Sequence, residues 1–322
     1  MRYVVTGVAG FIGSSLAQTL LERGHEVIGI DCFIPYYPRE IKTWNLDQLR
    51  SFEKFRFIET EVGELFSLPA KAAELLEGVA AVFHLAAQAG VRASWGSYFE
   101  TYTTCNVLAT QKLLEACKGR DDVRFVYASS SSVYGETQKF PMQETDLPQP
   151  VSPYGVTKLA AEHLVRLYTH NYGLPTVSLR YFTVYGPRQR PDMAFHRLLK
   201  SALTGKEFIL FGSGEQTRDF TYISDIVEAN ILAANHGKAG AVYNIGGGSR
   251  LSMNQVIELV EKVTGRRPNV TQAGREKGDV THTGADVTRA ANDLGFQPRV
   301  AIEKGLAAEA RYIEDVILKL GV

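Results

Sequence analysis

The chain has 322 residues, enough for one large domain or two closely joined domains around a sizeable buried core. Its 35 basic and 35 acidic residues balance, which argues against a nucleic-acid or anionic-membrane surface. No uncharged run approaches the roughly 18 residues that a membrane span needs, and three cysteines without metal or redox spacing fit a reducing cytoplasm. The seven histidines include no pair at i, i+4 spacing, so no metal site is predicted.

A glycine-rich turn follows the first predicted strand, residues 2–5. Gly7, Gly10 and Gly13 lead from this strand into a helical repeat of apolar residues. In dinucleotide-binding folds such glycines permit a tight turn, close approach of a pyrophosphate, and packing of the helix on the strand. The free N–H groups at the start of the helix, around Phe11 and Ile12, are then expected to face the phosphates.

A second predicted strand, residues 26–30, ends at Asp31, which lies 18 residues after Gly13. The dinucleotide fingerprint places an acidic residue about 20 residues on, where it binds a ribose diol and repels a 2′-phosphate. The residues that follow directly carry no positive charge, so NAD is favoured over NADP as the cofactor. A glycine triplet alone could be only a tight turn, and the acidic residue at the strand tip strengthens the interpretation.

Strand and helix patterns alternate as far as about residue 180. This alternation predicts right-handed crossovers and an α/β fold, with a doubly wound parallel Rossmann sheet in a domain over residues 1–180. The further elements are expected as strands at residues 55–59, 80–85, 123–128 and 176–179, and as long helices at 98–118 and 153–172.

Beyond residue 180 the alternation loosens. This change predicts a smaller C-terminal α/β lobe over residues 181–322, which binds the substrate and is interleaved with the first domain. Its expected elements are helices near residues 193–203, 224–234, 252–263 and 302–320, and short strands at 208–211 and 242–245.

Tyr154 and Lys158 lie four residues apart at the start of a predicted helix, so both side chains share one face. To ionise near neutral pH, a tyrosine needs its pKa of about 10 lowered by about three units, roughly 4 kcal/mol. A lysine one turn away and a cationic nicotinamide ring are expected to supply this, which makes the pair a general base and its tuner. Four serines, residues 129–132, follow the fifth strand and face the same cleft. Singly, these patterns could be a chance helix pair and a loop, but their order along the chain favours a site.

In this order the motifs resemble those of the extended short-chain dehydrogenase/reductase family, in particular its nucleotide-sugar epimerases. The resemblance extends over essentially the whole chain and includes residues 84–87 (His-Leu-Ala-Ala), 180–182 (Arg-Tyr-Phe) and 218–220 (Arg-Asp-Phe). It implies that Ser130 hydrogen-bonds the reacting sugar hydroxyl, Tyr154 takes its proton, and Lys158 binds the nicotinamide ribose.

The resemblance also implies the contacts of NAD and of a UDP-sugar. Asp31 would hold the adenosine ribose, and Glu61 stands where the family usually carries an Asp that contacts adenine. The other implied cofactor residues are Val62, Leu85, Ala86, Ala87, Gln88 and Asn106. Arg218 resembles the arginine that grips the substrate diphosphate, with Arg275 or Lys277 as a looser second match. The other implied substrate residues are Arg92, Ser131, Ser132, Thr183, Arg190, Met193 and Phe195.

The reaction is inferred from what the serine run lacks. The family's 4,6-dehydratases carry Asp-Glu directly after the position of Ser130, and its glucuronate decarboxylases carry Glu at the position of Ser132. Serines at both places leave epimerisation at C4, with hydride passing to tightly bound NAD and returning to the opposite face of a 4-keto sugar.

The choice of sugar depends on residues 183–195, a stretch similar to that of UDP-glucuronate 4-epimerases. Thr183 stands where glucose/galactose epimerases typically show Asn, and Arg190 is a planar fork suited to a carboxylate. Conversion of UDP-glucuronate to UDP-galacturonate is therefore expected. The alternatives are surface ion pairs at Arg188 and Arg190, a UDP-glucose/UDP-galactose 4-epimerase, and a noncatalytic NAD-sensing protein. The two long helices resemble the family's four-helix interface and predict a homodimer.

Overall fold

The computed structural model describes residues 1–274 and 278–322. Its strands are β1 (Arg2–Thr6), β2 (Glu26–Asp31), β3 (Phe55–Glu59), β4 (Val79–His84), β5 (Arg124–Ser130), β6 (Thr176–Tyr181), β7 (Thr183–Tyr185), β8 (Glu207–Phe211), β9 (Thr217–Tyr222), β10 (Ala241–Ile245), β11 (Ser249–Ser252) and β12 (Asn269–Ala273). Its α-helices are α1 (Phe11–Glu22), α2 (Arg39–Arg50), α3 (Val62–Leu65), α4 (Pro69–Leu76), α5 (Phe99–Tyr102), α6 (Ala109–Cys117), α7 (Pro153–Tyr172), α8 (Ala194–Thr204), α9 (Ile223–His236), α10 (Met253–Thr264), α11 (Thr288–Leu294), α12 (Ile302–Tyr312) and α13 (Leu318–Leu320).

The central sheet has seven strands in the order β10–β6–β5–β4–β1–β2–β3, and every neighbouring pair is parallel. Val4 and Val5 of β1 are fully buried on opposite faces, since helices cover both sides of the sheet. The order reverses direction between β1 and β4, which is where open α/β sheets bind ligands beyond the carboxyl ends of their strands. The prediction of an α/β, doubly wound parallel Rossmann fold is confirmed.

One predicted strand belongs to a different sheet from the one expected. Residues 242–245 were expected in the smaller lobe, but β10 pairs in parallel with β6 and forms an edge of the central sheet. Tyr243 and Ile245 on this strand are fully buried in the core cluster that also contains β1 and β6 residues. Sequence distance conceals this pairing, because 59 residues separate the end of β6 from the start of β10. The division into residues 1–180 and 181–322 stays a prediction.

The smaller lobe holds a three-stranded sheet, β11–β9–β7, and a parallel pair, β12–β8. Its core combines apolar residues of α8, α10 and α12 with Tyr185 and Phe220. The prediction of a strand at 208–211 is confirmed as β8, whereas β7, β9, β11 and β12 were not predicted. These strands are short, or mix charged and apolar residues, and so leave no clear period of two.

Three long helices were predicted nearly correctly. Helix α7 spans the predicted residues 153–172; the Ser152 hydroxyl accepts a hydrogen bond from Gly155 N–H at 3.1 Å, and Gly173 ends the helix at φ 70°. The predicted helices at 98–118 and 302–320 each contain a π-helical turn, at Thr103–Leu108 and Ile313–Ile317. The first of these turns carries Asn106, and such turns occur often at functional sites.

Among the described residues, no helix combines the length and the apolar character that a membrane crossing requires. The same residues contain no group of three His, Cys, Asp or Glu side chains arranged to hold a metal ion. His163 and His170 are exposed on α7.

Candidate active site

A cavity of about 940 Å³ opens at the carboxyl ends of β5 and β6 and extends to the smaller lobe. Its walls include the serine run 130–132, Tyr154, Thr183 and Arg190. The fold therefore brings the predicted serine, tyrosine and arginine side chains to one space, although they lie up to 60 residues apart in the chain.

The glycine turn has room for backbone only. A Cβ on Gly13 would lie 2.1 Å from the Gly7 carbonyl oxygen, and one on Gly7 would lie 2.9 Å from Ala86 N. Gly7 also has a φ of 71°, which side chains rarely adopt. Helix α1 begins after Gly10, so its N-cap supplies no side-chain acceptor to the first-turn N–H groups. A cradle of this kind fits a dinucleotide pyrophosphate.

Asp31 ties this turn to the loop after β2. Its carboxylate accepts hydrogen bonds from Ala9 N–H at 3.0 Å and Phe33 N–H at 2.9 Å. Lys42 on α2 is buried and donates to the Ile34 carbonyl at 2.9 Å. Burial lowers the pKa of Lys42, and the Asp31 carboxylate acts in the opposite direction, so the two groups lie near each other. Lys42 comes to this loop from helix α2 and not from the residues directly after the strand, which is why the sequence pattern around Asp31 does not predict a cation here.

A buried polar network holds the segment after β4. The Thr6 hydroxyl accepts from the N–H groups of Leu85 and Ala86, both at 3.1 Å. The Asn106 carboxamide accepts from Gln88 N–H at 2.7 Å and donates to the Gln88 carbonyl at 3.0 Å. These bonds hold the predicted cofactor residues 85–88, which include Ala87, beside the glycine turn. Near the end of β3, Glu61 is exposed and Val62 is buried.

The end of β5 is joined to α7 by contacts from successive helical turns. The Lys158 ammonium donates to the Ala128 carbonyl at 2.7 Å, and the Ser129 hydroxyl donates to Glu162 at 2.6 Å. Glu162 also accepts from the Arg180 guanidinium at 2.6 Å and 3.1 Å, with about 5% of each side chain exposed. Burial lowers the pKa of Lys158 to about 7, and the Glu162 carboxylate partly offsets this. Glu162 was not predicted, although its i+4 spacing from Lys158 places it on the same helix face.

Tyr154 lies at the start of α7, beside Ser130 in the cavity. Burial raises the pKa of the Tyr154 hydroxyl, while the positive charge of Arg190 and a hydrogen bond from Ser130 act to lower it. The sequence predicts that Lys158, together with a cationic nicotinamide ring, lowers this pKa. Within the protein, the Lys158 ammonium bonds to the β5 backbone, and the positive charge that acts on Tyr154 is that of Arg190, from a loop some 36 residues later in the chain.

Arg190 does not present a free fork to the cavity. Its Nε and Nη2 groups donate to the two carboxylate oxygens of Asp192 at 2.9 Å and 3.0 Å. About 22% of the Arg190 side chain and 38% of the Asp192 side chain are exposed, and both line the cavity. Burial acts to raise the pKa of Asp192, but Arg190 outweighs it and the pKa is lowered, so the pair is ionic.

The remaining predicted substrate residues have different surroundings. Arg218 lines the cavity and donates to the backbone carbonyls of Thr217 and Val280, at 2.9 Å and 2.7 Å. Arg92 also lines it and pairs with Asp279 at 2.8 Å. Met193, Ser131 and Ser132 line the cavity, and Arg275 and Lys277 lie outside the described residues.

The side chain of Phe195, which was predicted to contact the substrate, does not line the cavity. The side chain is 1% exposed and packs in the core of the smaller lobe, with its ring 4.3 Å from that of Phe220 and 5.1 Å from that of Tyr185. It lies one residue into α8, where the helix turns this position toward the core while Met193, just before the helix, faces the cavity.

The architecture is that of the extended short-chain dehydrogenases/reductases, with Ser130, Tyr154 and Lys158 where β5 and α7 meet. The chain belongs to the NAD-dependent epimerase/dehydratase family, whose model matches residues 3–246. An uncharacterized UDP-glucose epimerase of Bacillus subtilis is 46% identical over 320 residues, covering 98% of this chain and 99% of that protein. UDP-glucuronate 4-epimerase of Thermodesulfobacterium geofontis is 38% identical over 317 residues, covering 98% and 97%. UDP-glucuronic acid 4-epimerase from Bacillus cereus, solved with UDP-glucuronic acid and NAD, matches with a TM-score of 0.92 and 44% identity, covering 98% of this chain and 100% of that one.

Proposed function

We propose that the chain is an NAD-dependent 4-epimerase that interconverts UDP-glucuronate and UDP-galacturonate. The observation that carries the proposal is the position of Arg190, whose guanidinium lines the cavity beside Tyr154 and forms a bidentate contact with a carboxylate, that of Asp192. A sugar carboxylate can bind a guanidinium in the same way. The relatives and the solved structure described above support the same substrate.

The cofactor fits the glycine turn, because the backbone there is open to a pyrophosphate and Asp31 and Lys42 lie at the ribose end. When bound, NAD accepts a hydride from C4 of the sugar and returns it to the opposite face. Tyr154 takes the proton from the 4-hydroxyl as general base and later gives it back. Ser130 hydrogen-bonds the same hydroxyl and holds it against Tyr154, and Lys158 reaches the nicotinamide ribose.

The sugar carboxylate has to be controlled while C4 is a ketone. Oxidation of UDP-glucuronate at C4 gives a β-keto acid, which loses carbon dioxide when the C5–C6 bond aligns with the carbonyl π system. Arg190, with hydroxyl donors from Thr183, Ser131 or Ser132, keeps the carboxylate out of this alignment until the hydride returns. The absence of a second carboxylate or base at positions 131 and 132 fits simple epimerisation.

At the other end of the cavity, Arg218 and Arg92 are placed to meet the substrate diphosphate. Both line the cavity on the side of the smaller lobe, near β8 and β9, and Arg92 also lies 4.3 Å over the ring of Phe211. Assembly as a homodimer is part of the proposal. Exposed apolar side chains lie on the two long helical segments that would form its four-helix interface, among them Leu108 and Leu167, which are about half exposed.

The test is a product assay on the purified protein, with its NAD content measured first. UDP-glucuronate and UDP-glucose are supplied separately. The products are identified by mass spectrometry and by chromatography, with the C4 epimer of each substrate as the standard. Faster conversion of UDP-glucuronate supports the proposal. Faster conversion of UDP-glucose supports the second candidate, a UDP-glucose 4-epimerase, which the name of the Bacillus subtilis relative favours. Tight NAD binding without turnover of either sugar supports a noncatalytic sensor.

A further inference from the structure

Asp192 binds Arg190 in the geometry that a sugar carboxylate would need. The two bonds, at 2.9 Å and 3.0 Å, use Nε and Nη2, which form one edge of the planar guanidinium. Only Pro191 separates the two residues in the chain, so a short loop brings the carboxylate back onto the fork. The opposite edge of the guanidinium, at Nη1, lies farther from Asp192.

A second part of the chain holds the Asp192 carboxylate in place. The Tyr36 hydroxyl, from the loop between β2 and α2, donates to Asp192 Oδ2 at 3.3 Å. The Arg190 guanidinium lies 5.6 Å over the Tyr36 ring. Tyr36 itself packs against the backbone after β4, where a Cβ on Gly90 would lie 2.2 Å from its hydroxyl. Asp192 therefore has partners from two separate parts of the chain, which hold its carboxylate in position.

The charge balance follows from these contacts. Arg190 and Asp192 together carry no net charge, whereas a uronate brings a further negative charge within a few ångströms of Asp192. Two carboxylates at such a distance repel each other, and each loses bonds that the other gains. A neutral hexose, with a hydroxymethyl group in place of the carboxylate, meets the intact pair without this conflict.

Building on the proposed function, we propose that Asp192 determines how far this site prefers charged over neutral UDP-sugars. Its carboxylate occupies the Arg190 edge in the free protein and competes with the carboxylate of UDP-glucuronate. UDP-glucuronate either displaces it from this edge or binds the Nη1 side beside a second negative charge, while UDP-glucose meets neither conflict. Asp192 thereby lowers the selectivity for the uronate below what Arg190 alone would give.

The decisive variant is Asp192→Asn in the NAD-loaded protein. The amide keeps one oxygen, which can accept from Arg190 Nη2 and Tyr36, but its NH2 group cannot accept from Arg190 Nε, and the competing charge is removed. The dissociation constant of UDP-glucuronate, measured by calorimetry, is expected to fall about 10-fold, and that of UDP-glucose to change less than about 2-fold. The ratio of kcat/KM for the two sugars should move in the same direction. Asp192→Ser, which also removes the charge, should shift both ratios in the same sense.

Tyr36→Phe is the matched control, because it removes a bond to Asp192 while both charges remain. Its effect on the UDP-glucuronate to UDP-glucose ratio should be clearly smaller than that of Asp192→Asn. Weaker binding of UDP-glucuronate to Asp192→Asn would overturn the proposal, since Asp192 would then orient Arg190 for the substrate. An unchanged ratio in variants with wild-type melting temperature and NAD content would overturn it as well. The proposed function fails separately, if the wild-type protein does not convert UDP-glucuronate.

Discussion

The buried ion pair between Glu162 and Arg180 gives the sharpest prediction on stability. Glu162 accepts two bonds from Arg180 and one from Ser129, and about 5% of each charged side chain is exposed. Glu162→Gln keeps the shape of the side chain but leaves the Arg180 charge without its partner. Removing one member of a buried pair costs about 3–5 kcal/mol, because an uncompensated charge remains in the interior. With a melting temperature that changes by about 2–4 °C per kcal/mol, the expected loss is about 6–20 °C.

The chain supplies a matched control in the exposed pair of Arg23 and Glu228. Its N–O distance of 2.7 Å is similar, but the two side chains are 44% and 40% exposed. Exposed pairs contribute about 0–1 kcal/mol, so Glu228→Gln should lower the melting temperature by only a few degrees.

Differential scanning calorimetry of both variants, with NAD content held equal, makes the comparison. The double variant Glu162→Gln, Arg180→Met should recover part of the loss, because no unpaired charge is left. Equal and small losses in Glu162→Gln and Glu228→Gln would show that the buried pair has no special energetic weight, and the reasoning would fail.

The remaining predictions concern the reaction and its pH dependence. Tyr154→Phe should lower kcat by at least about 10²–10⁴-fold with little change in UDP-sugar affinity, as steady-state kinetics and calorimetry can measure, and an active variant would contradict the general-base role. Arg190→Ala should weaken UDP-glucuronate binding by about 1.5–3 kcal/mol, about 10–150-fold, and much less for UDP-glucose. The same variant should release some UDP-4-keto-pentose while NADH absorbance at about 340 nm rises; unchanged affinity and products would contradict the carboxylate assignment. Because burial lowers the pKa of Lys158 to about 7 from 10.5, the unfolded chain binds the extra proton between these pH values. The unfolding free energy of the wild type, relative to that of Lys158→Met, should therefore rise as the pH increases from about 7 to 10. Denaturant titrations at several pH values measure it, and a difference between the two proteins that does not change with pH would contradict a lowered pKa for the buried Lys158.

Local sequence patterns were sufficient to predict the elements whose ends are marked by glycines, capping residues or a charged residue. The turn with Gly7, Gly10 and Gly13, the acidic end of β2, and helix α7 with its Ser152 cap all depend on residues within a few positions of one another. Their chemistry is local: positive φ, capping hydrogen bonds and apolar period. The resemblance in motif order then placed Ser130, Tyr154 and Arg190 at one cavity, and the structure brings them there.

The sequence by itself thus determined the dinucleotide-type fold and the chemical groups available to it. Only the tertiary structure decided which of these groups meet: β10 beside β6, the Lys158 ammonium on the β5 backbone, Phe195 in the core, and Asp192 on Arg190. The physical reason is that period and capping act over one or two helical turns, whereas a hydrogen bond or an ion pair depends on where separate elements pack. A side chain's partner is therefore settled by the fold as a whole, and in this site the partners of Arg190 and Lys158 determine what each charge can do.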